Sequence, residues 1–178
     1  MASKLRVNQI EPVNGIASGG GGGIIQVIYT STATHTYNNN TTYADISGLT
    51  ATITPTSTTS KILIQCSFAI SKENNHSFLG RMVRNGSAIS GTGGEAESGH
   101  SSQEDGTWWV VRTTTHSANP QFISYLDSPS STSALTYKVQ GKTSDSSKYY
   151  AINRTIDSVD SVYASPGFSS ITLFEVSG

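Results

Sequence analysis

The sequence predicts an all-β fold, and three observations carry that prediction. First, residues 42–71, TYADISGLTATITPTSTTSKILIQCSFAIS, hold two stretches in which apolar and polar side chains alternate with the period of two that sends them to opposite faces of a strand. Second, the 178 residues are 35% hydrophobic and only 13% charged. Glycine, serine and threonine are frequent while Leu/Glu/Lys/Arg runs are missing, a balance that disfavours helices. Third, short apolar runs recur along the chain, separated by polar turn clusters, which is the pattern of a β-sandwich or barrel. At this length one core is expected, with a short appendage.

In order along the chain, residues 1–15 read as an attachment peptide. Leu5, Val7 and Ile10 form an apolar stripe too short to fold alone, and Pro12 and Asn14-Gly15 stop it. Residues 16–23 are a connector with five consecutive glycines from Gly19 to Gly23. A phosphate-binding role for these glycines fails, because no strand precedes them and no Lys-Ser/Thr ending follows. The domain proper is expected over 24–178. Its opening strand, Ile24–Ser31, sets Ile25, Val27 and Tyr29 against Ile24, Gln26 and Ile28. His35–Tyr37 either continues this strand or begins a hairpin, and three asparagines at 38–40 make a turn.

In the central pair, Leu49, Ala51 and Ile53 face one way and Thr50, Thr52 and Thr54 the other, and Pro55 ends the strand. The next strand has Ile62, Ile64, Cys66, Phe68 and Ile70 on a strictly apolar face. Its other face, with Leu63 and Ala69 beside Gln65 and Ser67, is only half polar and points to a second contact. Cys66, the single cysteine, lies on the inward face and reads as a small buried hydrophobe; a disulfide within the chain is excluded by count. After a turn at Asn74-Asn75-His76, Phe78–Arg84 and Ser87–Ile89 flank Asn85-Gly86, the strongest short hairpin signal.

Residues 90–106, SGTGGEAESGHSSQEDG, predict a long exposed loop bearing Glu95, Glu97, His100, Glu104 and Asp105, the candidates for contact with a receptor. The carboxylate spacing matches no recognised calcium loop. In Thr107–His116 the adjacent Trp108 and Trp109 place one ring inward and the other outward, the outward one as an interface anchor. Strands are also expected at Gln121–Asp127, Ala134–Gly141 and Tyr149–Asn153, and the connection 156–167 is polar. Ser170–Val176 closes the chain with Ile171 and Leu173, with Glu175, on one face and Thr172, Phe174 and Val176 on the other. A last strand apolar on both faces belongs at a sheet centre or an oligomer axis. Leu63, Trp108, Trp109, Leu173, Phe174 and Val176 are therefore the interface candidates.

Several chemistries find no support. A net charge of -1 and a pI near 6.4 give no electrostatic footprint for nucleic acid or an anionic membrane, and no apolar stretch suits membrane insertion. His35, His76, His100 and His116 fall in separate turns or strand ends, away from metal-ligand spacing, and are expected at the surface. Gly141-Lys142-Thr143 lies between strands and lacks the earlier glycine of a nucleotide loop. With neither a nucleophile elbow nor an HExxH helix, the chain reads as a non-enzyme without cofactor or metal. A glycan-cleaving enzyme would need two carboxylates about 5–10 Å apart across a groove.

The segments SKLRVNQIEPVNG with its glycine run, GLTATITPTSTTSKILI, RMVRNGSAI, ISYLDSPSSTSALTYKVQ and SSITLFEV, in that order, resemble virion surface proteins and fibre-tip domains of tailed phages, especially those of marine cyanobacteria. The resemblance spans nearly the whole chain, with the acidic loop at 90–106 as the main departure. It implies an antiparallel, jelly-roll-like β-sandwich head with a tumour-necrosis-factor-like form, assembled as a homotrimer. It also implies a place on the virion surface after synthesis in the host cytoplasm, with other virion proteins holding the N-terminus. A host-surface glycan or protein is the distal partner of such a fibre or spike. A decoration protein of capsid or tail with a purely architectural role is the alternative.

Overall fold

The computed structural model describes residues 23–90, 92, 107–110, 115, 118–157 and 167–178. Eleven strands are seen in this range: β1 (Ile24–Thr32), β2 (Thr36–Asn38), β3 (Ala44–Ile53), β4 (Lys61–Lys72), β5 (Phe78–Arg84), β6 (Ser87–Ala88), β7 (Thr107–Val110), β8 (Asn119–Asp127), β9 (Leu135–Thr143), β10 (Tyr150–Ile152) and β11 (Ser169–Val176). They form two antiparallel sheets packed into a sandwich, and among the described residues there is no helix.

The pairings are nested. β1 pairs with β11, β3 with β9, β4 with β8 and β5 with β7, so a long hairpin of four strand pairs is wrapped into two sheets. That nesting defines a jelly roll. One sheet runs β1-β11-β4-β8 and the other β3-β9-β5-β7, with β6 turning back on β5. β10 joins β4 beyond the end of β11, and β2 pairs with β10, so β2 extends the edge that β1 begins. The His35–Tyr37 stretch thus continues the first strand, although it takes a different partner.

Alternation decides what fills the sandwich. Leu49, Ala51 and Ile53 of β3 and Ile62, Ile64, Cys66, Phe68 and Ile70 of β4 are all buried, as their spacing predicts. Phe78 and Met82 of β5, Tyr137 and Val139 of β9 and Ile171 and Leu173 of β11 complete the core. Phe78 packs its ring edge-on to Tyr150 at 4.8 Å and tilted to Phe68 at 6.3 Å, arrangements that suit aromatic quadrupoles. Burial pushes the Cys66 thiol up to about 12, which keeps it protonated and inert.

Local chemistry fixes the turns and one bend. Asn85 and Gly86 both have positive φ, 50° and 86°, the two-residue turn that matches strand twist, and Asn85 Oδ1 accepts a hydrogen bond from the backbone NH of Thr136. β3 shifts register between Asp45 and Thr50. Gly48 sits in this irregularity at φ 82°, where a Cβ would lie 2.4 Å from the Thr32 side chain, so only glycine allows β1 and β3 to approach.

Two buried carboxylates tie elements together, one across the layers and one at the end of a sheet. Asp127, inward-facing at the end of β8, accepts from Arg84 Nη1 of β5 at 2.6 Å and from the Tyr137 hydroxyl of β9 at 2.7 Å, and so joins one sheet to the other. Glu175, inward-facing at the end of β11, accepts from the backbone NH and hydroxyl of Thr56 at 2.7 and 2.6 Å and from Gln26 Nε2 at 2.6 Å. Burial opposes its charge, yet these donors hold its pKa down at about 2.

The structure corrects the expectation for His76. It is buried in the β4–β5 turn rather than exposed, and neither ring nitrogen finds a well-formed hydrogen bond among the described residues. The turn folds back because Ser77 and Ser144 exchange hydrogen bonds between β4–β5 and β9–β10, which closes protein over the imidazole. His35 is exposed as expected; His100 and His116 lie outside the described residues.

Candidate interaction face

The outer face of the β1-β11-β4-β8 sheet carries the apolar surface that the core leaves over. Because side chains alternate, the outward positions are Val27 and Tyr29 on β1, Phe174 and Val176 on β11, Leu63 on β4, and Phe122 and Leu126 on β8; a bulge between Ile24 and Gln26 interrupts the alternation, and there exposed Ile24 pairs with Val176. Val27 stands 51% exposed, Tyr29 58%, Phe122 65% and Leu126 48%.

Register lines them up. Val27 pairs with Phe174, Phe174 with Leu63, and Leu63 with Leu126, so four apolar side chains cross the sheet in one row. At about 4.8 Å between strands the row is about 14 Å wide. The next outward row is Tyr29, Thr172, Gln65 and Ser124, and the one beyond is Ser31, Ser170, Ser67 and Phe122. The face is therefore apolar at the end near the β3–β4 loop and hydroxyl-rich further along.

The Glu175 tie lies directly beneath this row. By gripping Thr56 and Gln26 it holds the ends of β1 and β11 and the β3–β4 loop in one arrangement, so Phe174 and Val27 are presented from a fixed backbone. The side chains of the row itself, Val27, Phe174, Leu63 and Leu126, offer shape and apolar area. Among the described residues no cluster of three His, Cys, Asp or Glu is set to hold a metal ion, and no helix is long and apolar enough to cross a membrane.

Three of the six interface candidates, Leu63, Phe174 and Val176, are on this outer face. Leu173 is not: it points inward and is fully buried in the core, because its neighbour Phe174 takes the outward position. Trp108 is also corrected, since its ring packs against the core 6.4 Å from Phe68 and fills the space where a Gly80 Cβ would stand. It is the inward tryptophan of its pair. The side chain of Trp109, the attachment candidates Leu5, Val7 and Ile10, and the loop candidates Glu95, Glu97, His100, Glu104 and Asp105 lie outside the described residues. Sequence reasoning missed Val27, Tyr29, Phe122 and Leu126. The signal was present: β1 and β8 each alternate apolar residues with other apolar residues, which leaves one set outside whichever set is buried.

Compared with protein-family models and with curated proteins, the chain matches none. What the fold and the face define is a class: a jelly-roll β-sandwich with an apolar row across one outer sheet surface.

Proposed function

We propose that the chain is a non-enzymatic structural protein of a tailed-phage virion, a homotrimeric fibre or spike held by its N-terminal residues and meeting the host surface at its far end. The virion assignment is supported by the ordered resemblance of five sequence segments, and the assembly by the apolar row Val27, Phe174, Leu63 and Leu126. That row is the single observation that carries the reading. Contiguous apolar patches of this kind are uncommon on monomers and mark contact surfaces. Identical copies provide the simplest cover, because β11 lies inside the sheet and turns a fixed, flat apolar surface outward.

Attachment fits the same geometry. Gly23 and Ser177 are hydrogen-bonded neighbours, so Gly23, the first described residue, sits at the end that holds the apolar row. β4 spans twelve residues, about 40 Å, which places the β4–β5 and β9–β10 turns at the opposite pole. Several copies on one particle would convert weak contacts at that pole into firm adhesion.

Light scattering at micromolar concentration tests the assembly. A mass three times the chain's 18.8 kDa is expected, and Leu63→Asp together with Phe174→Asp should return the monomer. A monomeric native chain would overturn the reading.

A further inference from the structure

At the pole away from Gly23, Tyr37 of β2 and Tyr149, just before β10, stack with ring centres 4.5 Å apart and planes 14° from parallel. Tyr37 remains 44% exposed even so. The guanidinium of Arg154 lies 5.5 Å from the centre of its ring. Glu73 and Lys148 form an ion pair at 3.4 Å, each side chain partly exposed.

These groups are held firmly for a surface site. The backbone NH of Glu73 donates to the Tyr149 carbonyl at 3.1 Å, and Asn39 Nδ2 donates to the Ser146 carbonyl at 2.9 Å. Asp145 Oδ1 accepts from the NH and hydroxyl of Ser147, which sets the turn leading to Lys148. Three segments distant in sequence thus converge on one aromatic pair, of which Tyr37 is exposed and Tyr149 half-buried. Glu73 is close enough that its charge, after the larger effect of burial, raises the Tyr37 pKa.

We propose that the Tyr37–Tyr149 stack, flanked by Glu73, Lys148 and Arg154, is a binding site for a pyranose sugar. One face of a pyranose presents C–H bonds, weakly positive, that pack on the negative face of an aromatic ring. Its rim presents vicinal hydroxyls that both accept and donate, and so match a planar guanidinium or an ammonium on one side and a carboxylate on the other. A shallow aromatic surface with a few convergent polar groups binds weakly and reversibly, which multivalent display makes effective. The site gives the host-contact part of the proposed function a ligand class, and its biological meaning rests on that reading. It lies far from the apolar row: Ser71, paired through Ala151 to Tyr37, is eight residues along β4 from Leu63, about 26 Å.

Saturation-transfer NMR on the full chain with D-glucose, D-galactose, D-mannose, N-acetyl-D-glucosamine and D-glucuronate tests the proposal. Transfer to the ring C–H protons of at least one sugar is expected, and it should be lost in Tyr37→Ala and Tyr149→Ala while Phe122→Ala retains it. Should a tyrosine variant unfold, Arg154→Ala and Glu73→Gln carry the same test, with transfer again expected to be lost. No transfer from any of the five sugars, or transfer unchanged in the site variants, would overturn the site. Light scattering on the same samples separates the two readings: trimers without sugar transfer remove the site alone, and monomers with transfer remove the assembly alone.

Discussion

Replacing Asp127 by alanine should cost more stability than any single surface ion pair can explain, because its carboxylate serves partners on both strands it faces across the sandwich. The Tyr137 hydroxyl is fully buried, and its hydrogen bond at 2.7 Å is made to a charged acceptor. Losing such a bond and leaving the hydroxyl unpaired costs about 1.5–3 kcal/mol. The Arg84 side chain is 34% exposed, so its 2.6 Å pair is screened and contributes about 0.5–1 kcal/mol, with the freed guanidinium able to turn to water. The sum is about 2–4 kcal/mol, a fall in Tm of about 5–15 °C for a chain of this size. Urea unfolding of Asp127→Ala, Tyr137→Phe and the double variant measures it. The cycle should give a coupling of about 1–2 kcal/mol between the two side chains, since Tyr137→Phe removes the bond without leaving a buried orphan. A loss below about 1 kcal/mol for Asp127→Ala, or independent effects of the two changes, would refute the idea that this carboxylate fastens one sheet to the other.

Two further outcomes concern pH. Glu175 titrates at about 2 in the folded chain against 4.5 when free, so its contribution is complete above pH 4.5 and is lost as pH falls toward 2. Denaturant midpoints of the native chain and Glu175→Gln should therefore converge over that interval, and a constant gap would rule out the ionised tie. His76 is also lowered, but because its charged form is disfavoured: burial, then the neighbouring Lys72 charge, lowers its pKa below 6.5 although Glu73 lies near. The unfolded chain then binds a proton first on acidification, so stability falls as pH drops below 6.5. Tm measured at pH 7.5 and 5.5 should show this fall in the native chain and a smaller one in His76→Gln; equal falls would show that the imidazole is not responsible.

Much of the architecture was legible because period-two alternation is a local property. Ile62 to Ile70 and Leu49 to Ile53 predicted their own burial, Asn85-Gly86 predicted its turn, and the apolar last strand predicted an interior place in its sheet. What alternation cannot supply is which of two apolar sets faces the core. Leu173 and Phe174 look alike to that rule, and only the second sheet packing over Leu173 separates them. Polar partnerships were equally hidden, since Asp127 meets Arg84 across 43 positions and Glu175 meets Thr56 across 119. His76 misled because a turn composition signals exposure, whereas here a second turn folds over the first. The Tyr37–Tyr149 pair depends on β2 crossing to β10, a pairing that three residues of strand cannot announce.

Nesting also orders events in time. The first strand finds its ladder partner only in the last, so on a ribosome β1 waits for almost the entire domain to be made before its backbone is satisfied. During that wait Ile24 to Tyr29 is a naked, sticky ribbon, and slow closure of distant contacts leaves it open to pairing with a neighbouring nascent chain. Dense polysomes would therefore favour clumping, while sparse translation would favour clean maturation.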